Sequence, residues 1–250
     1  MEHLNQALVD GYSHVRLCRG VTNALTIGVV KSLAAAIDDA ESGARGVLLL
    51  GGEKFFSNGV DLAWALEQNS DGMRELFLEL GRCILKLLEC RLPVVGVCEG
   101  HAIGGAFALL LACDYRYAAR GHVLLGKPEM LLGVANPYYS DQLFRFVAGD
   151  RVASDLIYTG RLVESEEARS LGFIHDTAEK GDVEALGLEQ LCRLGALAPE
   201  AFAESKRMRL ERLCARIRAQ MSARVARQVE LWNSDEAQKR LHEAAERLAR

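Results

Sequence analysis

The sequence predicts a mixed α/β domain with parallel strand pairing, followed by a helical segment. In the first two-thirds of the chain, short continuous apolar runs alternate with longer stretches whose apolar residues recur at helical spacing. This alternation is typical of an α/β domain whose strands are buried on both faces. Beyond about Pro199 the strand signals stop and only helical periodicity remains. We therefore predict a core over residues 1–198 and a helical segment over 199–250.

The elements follow in order along the chain. Helical spacing of apolar residues predicts helices over 29–40, 73–89 and 106–112. Continuous apolar runs predict buried strands over 46–50 and 93–98. Glycine pairs or glycine-rich turns end these runs, as expected where a strand passes into a loop.

The last part of the chain, over 202–250, is predicted to be helical throughout. An apolar stripe that includes Leu210, Leu213 and Ile217 runs along it, and its basic residues alternate with acidic ones. A basic amphipathic helix can lie on a membrane surface, but this one has interleaved acids and no aromatic anchors. Docking on its own core or on another subunit is therefore the favoured interpretation.

The composition argues against several classes of function. The formal net charge is −4, whereas nucleic-acid binding requires a concentrated positive surface. The seven cysteines show no Cys-x-x-Cys spacing, and no cluster has metal-ligand spacing, so we expect free thiols and no metal. The start of the chain carries no signal-peptide pattern, and no apolar run approaches the roughly 20 residues that cross a bilayer. A cytoplasmic protein is expected.

Two glycine turns are the candidates for a binding or catalytic site. The first is FFSNGVDL over 55–62 and the second is EGHAIGGA over 99–106, and each joins an apolar run to a predicted helix. Backbone N–H groups at a helix start have no intrahelical partner, so they can hold an anion or the negative charge that develops on a carbonyl oxygen. Neither turn is a nucleotide-binding phosphate loop, and no GxSxG elbow is present.

Three motifs, in this order and spacing, resemble those of the crotonase family of enoyl-CoA hydratases and isomerases. They are FSNGVDL over 56–62, GHAIGGAFALLLACD over 100–114 and LLGKPEMLLGV over 124–134. The Asn-Ala-Leu of 23–25 and the stretch 157–176 also resemble the family. The resemblance implies a spiral of ββα turns followed by a helical segment used in assembly of a homotrimer or of a hexamer of two trimers.

The resemblance also implies an oxyanion hole for the thioester carbonyl of an acyl-CoA. Its two donors are then the backbone N–H groups of Val60 and Gly105. Coenzyme A would be part of the substrate, and no separate cofactor is implied. Asp61 has the alternative role of stabilising a helix start. The substrate contacts implied are Ala24, Ser57, Asn58, Gly59, Asp61, Leu62, Gly104, Ala108, Pro137 and Tyr138.

The acidic residues bear on which family reaction is expected. Hydratases of this family hold water between two glutamates, and the first of these positions is Ala108 here. The second is Glu129, in a Gly-Lys-Pro-Glu sequence that matches the family's Gly-x-Pro-Glu. A single carboxylate suffices to move a double bond from the 3- to the 2-position of an acyl thioester, by removing and returning a proton. Isomerisation with Glu129 as base is the leading hypothesis.

Other outcomes stay open. The same oxyanion hole could serve decarboxylation or another reaction of an acyl-CoA or acyl-carrier-protein thioester, and the chain could be a CoA-binding relative with little catalysis. After Gly133 the sequence departs from the glycine-rich pattern of many family hydratases. Any of Asn136, Tyr138, Tyr139 and Asp141 could therefore face the acyl group, or the tyrosines could simply pack on an apolar wall.

Overall fold

The computed structural model describes residues 3–248, which form two sheets flanked by helices. The first sheet consists, in spatial order, of β1 (Leu4–Val9), β2 (Tyr12–Leu17), β3 (Val47–Leu50), β5 (Val94–Cys98), β7 (Tyr115–Ala119) and β10 (Asp176–Ala178). The second consists of β4 (Phe55–Ser57), β6 (His101–Ile103), β8 (Leu124–Gly126) and β9 (Leu162–Glu164). The pairs β1–β2 and β8–β9 are antiparallel and the others are parallel. The α/β class with parallel pairing is confirmed.

The helices enclose both sheets. They are α1 (Ile27–Glu41), α2 (Leu62–Leu66), α3 (Ser70–Glu89), α4 (Gly105–Leu111), α5 (Tyr138–Ala148), α6 (Asp150–Thr159), α7 (Ser165–Ser170), α8 (Val183–Gly195), α9 (Pro199–Trp232) and α10 (Asp235–Leu248), with a short 3-10 helix over Glu129–Leu132. The helices predicted over 29–40, 73–89 and 106–112 are α1, α3 and α4, and the predicted strands are β3 and β5. None of these helices, within residues 3–248, is long and apolar enough to cross a membrane.

The chain winds as a spiral of ββα turns. Strand β3 joins the first sheet and β4 the second, and then α2 and α3 follow. The same sequence repeats with β5, β6 and α4, and again with β7, β8 and α5. Each turn therefore adds one strand to each sheet, and β4, β6 and β8 are parallel neighbours in the second sheet. The predicted spiral is confirmed.

The C-terminal helical segment docks on the core but is not continuous. Helix α9 packs along α3 and α5, and the buried Lys206 side chain pairs with Asp114 at 2.8 Å. The prediction of one helical stretch over 202–250 was wrong at Asn233 and Ser234, where α9 ends and α10 begins. The Ser234 side-chain oxygen accepts a hydrogen bond from the Ala237 N–H, as helix-capping residues do, so a new helix starts there.

His175 links α7 to the edge of the first sheet. Its Nδ1 accepts a hydrogen bond from the Arg116 N–H at 3.1 Å, and its ring lies 4.5 Å from that of Tyr115. Burial of the ring and the nearby Arg116 guanidinium lower the pKa of His175 from 6.5 to about 4. Between these two pH values the unfolded chain binds a proton here that the folded chain does not. The free energy of unfolding therefore falls as the pH is lowered through this window.

We predict that His175→Gln weakens this pH dependence. Compared with the wild type, the variant should lose less stability between about pH 7 and 4.5. The difference is on the order of 1 kcal/mol, with allowance for the ring's partial exposure. Urea unfolding at both pH values measures it. His242→Gln, at an exposed position on α10, is the control and should follow the wild type. Equal pH dependence in His175→Gln and wild type would contradict the assignment.

Candidate active site

Three parallel strands of the second sheet end side by side and deliver the candidate groups. Strand β6 lies between β4 and β8 and is parallel to both. Because neighbouring parallel strands run in the same direction, the segments that follow them leave the same edge of the sheet. The first glycine turn follows β4, the second follows β6, and Glu129 follows β8. The fold thus brings together three motifs that are far apart in the sequence.

The first turn is held by the Asn-Ala-Leu stretch. The buried Asn23 donates from Nδ2 to the carbonyls of Phe55 and Phe56, at 3.2 and 3.3 Å, which fixes this stretch against β4. The Leu25 N–H donates to the Gly59 carbonyl at 2.7 Å, and the Leu25 carbonyl accepts from the Asp61 N–H at 3.0 Å. These bonds lie on either side of Val60, so its own N–H points to the opposite side.

The second turn depends on a conformation that only glycine adopts readily. Gly104 has φ 60° and ψ −121°, in the region open to a residue without a Cβ. It is the N-cap of α4, and its carbonyl accepts from the Ala108 N–H at 3.2 Å. Gly105 is the first residue of the helix, so its N–H has no intrahelical acceptor. Its N–H is therefore a second candidate donor.

The two turns touch each other. A Cβ placed at Gly59 would lie 2.7 Å from the Ile103 carbonyl oxygen and 3.5 Å from the Gly105 nitrogen. A side chain at this position would push the turns apart, and Gly59 also has a positive φ of 81°. Glycine at 59 therefore permits the close approach of the two turns that carry Val60 and Gly105.

Glu129 begins the short 3-10 helix directly after Pro128. Its carboxylate lies close to the second turn, since a Cβ built at Gly104 would be 3.5 Å from Glu129 Oε1. The same Oε1 pairs with the Lys127 ammonium at 2.7 Å, and the Lys127 side chain is fully buried. Lys127 Nζ also donates to the Gly104 carbonyl at 3.1 Å. The other carboxylate oxygen, Oε2, is buried without a hydrogen-bond partner in the described part of the chain.

A mostly apolar cavity of about 310 Å³ opens beside these groups. Among its lining residues within 3–248, Glu129 is the only carboxylate. Ala108, at the position where hydration would call for a second carboxylate, forms part of the wall. The predicted site residues that line it are Asn58, Gly59, Val60, Leu62, Gly104, Gly105, Ala108, Glu129 and Pro137. Within residues 3–248, no group of three or more His, Cys, Asp or Glu side chains is placed to hold a metal ion.

Four predicted contacts lie outside this lining. Ala24 and Ser57 are buried, and Ser57 Oγ accepts from the Gly59 N–H at 3.3 Å. Both oxygens of Asp61 are occupied, one by the Trp64 N–H that it caps and the other by Arg19 at 2.8 Å. The fourth is Tyr138. These contacts remain predictions, because each residue has a structural partner here.

The tyrosine that lines the cavity is Tyr139. Helix α5 begins at Tyr138, and successive residues of a helix point about 100° apart. Tyr138 therefore faces Arg224, whose guanidinium lies 5.4 Å from the ring centre, while Tyr139 is fully buried on the cavity wall. Burial, together with the charge of Glu129, raises the pKa of Tyr139, so its hydroxyl stays protonated. The hydroxyls of Tyr139 and Ser140 have no hydrogen-bond partner within residues 3–248.

Other lining residues carry no signal in the sequence that assigns them to the site. Lys127 occupies the variable position of the Gly-x-Pro-Glu motif, and only the fold shows that its ammonium points back to the second turn. Gln228 and Trp232 come from α9, and Ala244, Arg247 and Leu248 come from α10. Their contribution depends on where the C-terminal helices dock, which no local pattern fixes.

We predict that Gly104→Ala lowers activity by more than its loss of stability can explain. The left-handed backbone at this position should cost about 1–3 kcal/mol of stability. An alanine at this positive φ is strained, and relief of the strain would turn the Gly104–Gly105 peptide and shift the Gly105 N–H. Turnover of an acyl-CoA substrate should therefore fall by about a hundredfold or more. Thermal unfolding and steady-state kinetics measure the two effects.

Gly172→Ala is the matched control for this prediction. Gly172 also has a positive φ, of 85°, but no atom lies within 4 Å of its Cβ position. It should lose stability to a similar degree and keep its activity. Equal losses of activity in the two variants would show that the strain acts through the fold rather than through the site.

Comparison with known proteins identifies the family. The family model described as enoyl-CoA hydratase/isomerase matches residues 10–249. A Thermus thermophilus relative whose name includes enoyl-CoA hydratase is 36% identical over 164 residues, which are 64% of this chain and 64% of that protein. Enoyl-CoA delta isomerase 3 of Arabidopsis thaliana is 30% identical over 167 residues, or 62% of this chain and 70% of that protein.

The fold comparison agrees. The crystal structure of human mitochondrial delta3-delta2-enoyl-CoA isomerase superposes with a TM-score of 0.94 at 22% identity, covering 99% of this chain and 98% of that one. At this identity the match shows only that the fold is shared. The three motifs, the ββα spiral and the family model lead to one conclusion: the chain belongs to the enoyl-CoA hydratase/isomerase family of the crotonase superfamily.

Proposed function

We propose that this protein isomerises a 3-enoyl thioester to its conjugated 2-enoyl form, with Glu129 as the base. The observation that carries the proposal is the arrangement of one carboxylate beside two backbone donors. Glu129 is the only carboxylate among the described lining residues, it lies next to the Gly104–Gly105 turn, and one of its oxygens is unpartnered. The proposal combines this arrangement with the family membership of the chain.

In the proposed reaction, Glu129 removes a proton from C2 of the substrate and returns it at C4. The thioester oxygen accepts hydrogen bonds from the Val60 and Gly105 N–H groups, and Glu129 takes a proton from C2. The electron pair of the C2–H bond moves into the enolate, whose negative oxygen the two donors stabilise. The protonated Glu129 then donates its proton to C4, and the double bond comes to lie between C2 and C3. Because the same carboxylate serves both steps, no second acid is required.

Hydration is the less supported reaction. Adding water to a 2-enoyl thioester requires a group that holds and activates the water, and the Ala108 methyl group on the cavity wall can do neither. The Tyr139 hydroxyl is close to Glu129, but it is a protonated phenol with a raised pKa and is therefore a poor base. We therefore expect isomerisation to exceed hydration.

The thioester carrier and the assembly are part of the proposal. We propose coenzyme A as the carrier, with an acyl-carrier protein as the alternative, and a homotrimer or a hexamer as the assembly. Turnover of the same acyl group on each carrier distinguishes coenzyme A from an acyl-carrier protein. The mass of the protein in solution distinguishes a homotrimer from a hexamer.

We predict that Glu129→Gln abolishes isomerisation. The amide has nearly the shape of the carboxylate but cannot accept the C2 proton, so kcat should fall at least about a hundredfold. The ultraviolet absorbance of the conjugated 2-enoyl-CoA product reports turnover directly. Glu204→Gln, an exposed carboxylate of α9 whose partner is Arg207, is the control for the chemical change and should keep wild-type activity.

The alternatives give different results in the same experiment. If the folded wild type binds the ester and does not isomerise it, the proposal fails. Decarboxylation of a malonyl-type thioester that survives Glu129→Gln would then favour a decarboxylase, because loss of carbon dioxide forms the enolate without a base. Tight binding of CoA esters with no turnover of any of them would favour a binding protein.

A further inference from the structure

Lys127 is a buried charge in the wall of the candidate site. Its side chain has no solvent exposure, although it lies between Gly126 at the end of β8 and Pro128. Lysine is among the residues least often fully buried, because removing an ammonium group from water costs several kcal/mol. Its ammonium has two described partners, Glu129 Oε1 at 2.7 Å and the Gly104 carbonyl at 3.1 Å. Both belong to the reaction machinery proposed above.

The first partner is the proposed base. The ammonium holds Oε1 and neutralises part of the charge of the carboxylate, while Oε2 has no hydrogen-bond partner within residues 3–248. A carboxylate tied through one oxygen has fewer orientations available. The free oxygen, Oε2, is then the one that takes a proton from a substrate. Lys127 therefore restricts both where Glu129 points and which of its oxygens reacts.

The second partner belongs to the oxyanion hole. The carbonyl of Gly104 and the N–H of Gly105 are the two ends of one planar peptide unit. An ammonium that donates to the carbonyl oxygen draws electron density away from the nitrogen, so the N–H becomes a stronger donor. Such cooperative strengthening is about 10–30% for each bond in a hydrogen-bonded chain. The Ala108 N–H donates to the same carbonyl and adds to the effect.

We propose that Lys127 is a positioning residue that holds the Glu129 base and polarises the Gly104–Gly105 peptide, so that one ammonium group serves both the proton acceptor and the oxyanion donor. The inference rests on the proposed function in so far as Glu129 and the Gly105 N–H are the reacting groups. The action on the peptide unit, however, is measurable without turnover. This allows the two proposals to fail separately.

A second buried lysine provides the comparison. Lys206 pairs with Asp114 at 2.8 Å and donates to the carbonyls of Leu87 and Leu92, and its side chain is 5% exposed. It does not line the cavity that holds Glu129. Replacing Lys206 removes a buried ammonium from a carboxylate and from backbone carbonyls, as replacing Lys127 does. The stability costs should therefore be comparable, while the effects on the site should differ.

The experiment compares Lys127→Met, Lys127→Gln and Lys206→Met in the full chain. Saturated butyryl-CoA, labelled with ¹³C at the thioester carbonyl, is the unreactive probe. The infrared band of that carbonyl moves to lower frequency on binding in proportion to the strength of the oxyanion donors. Isomerase kcat and KM are measured in parallel on a 3-enoyl-CoA, and thermal unfolding shows that each variant is folded.

We expect both Lys127 variants to shift the carbonyl band less than the wild type does. Their kcat should fall at least about tenfold with KM changed by less than about twofold, because the lost interaction acts in the transition state. Lys127→Gln retains a donor for the Gly104 carbonyl without the charge, so it should remain folded if Lys127→Met does not. Lys206→Met should lose stability and keep the wild-type band shift and kcat.

A wild-type band shift and kcat in folded Lys127→Gln would overturn the proposal. So would equal losses in Lys206→Met, since the effect would then come from general destabilisation. If the wild type does not isomerise 3-enoyl-CoA but Lys127→Gln still reduces the band shift, the proposed reaction fails and the role of Lys127 in the oxyanion hole stands.

Discussion

The parallel pairing of β4, β6 and β8 is the constraint on which the site depends. Each strand is only three residues long, so its end is placed by its neighbours rather than by its own length. The Gly104 N–H donates to the Gly126 carbonyl at 2.8 Å, which joins the end of β6 to the end of β8. The contact of Gly59 with the Ile103 carbonyl joins β4 to β6. The two candidate donors and the candidate base, which come from distant motifs, thus lie at one edge of the sheet.

This arrangement explains why glycine and a buried charge occur at the same place. Close approach of two turns leaves no room for a Cβ at Gly59, and the sharp entry into α4 requires the backbone of Gly104. The Glu129 side chain is only 15% exposed at this edge, and a largely buried carboxylate needs a partner from the protein. Lys127 supplies it from the residue after β8. The same short segment therefore brings both the proposed base and its counter-charge.

The groups that meet at the edge of the second sheet were largely predictable from the sequence, whereas the walls of the cavity were not. The glycine turns, Glu129 and Ala108 belong to contiguous motifs whose local structure is set by strand ends and helix starts. Which of Tyr138 and Tyr139 faces the cavity depends on the rotation of α5 about its axis. Two adjacent aromatic residues in the sequence do not determine that rotation. One partner of Lys127, the Gly104 carbonyl, lies between β6 and α4 and is 23 positions away in the chain. Hydrophobic periodicity contains no information on such a contact. The break at Asn233 and Ser234 has a recognisable capping residue, but it lies within a pattern that is otherwise helical.

The wall of the cavity has two parts, one from the segments that follow the strands of the second sheet and one from the C-terminal helices. The groups proposed to act on the thioester follow β4, β6 and β8, and their positions depend on backbone hydrogen bonds between these segments. The far wall comes from α9 and α10, where Trp232 also packs edge-on against Phe77, with ring centres 5.8 Å apart. Helix α10 contacts α2 and the short 3-10 helix that begins at Glu129. Its side chains therefore lie close to the proposed base as well as to the cavity. The turns that follow the sheet strands thus place the proposed reacting groups, while the docking of α9 and α10 determines the shape of the far wall.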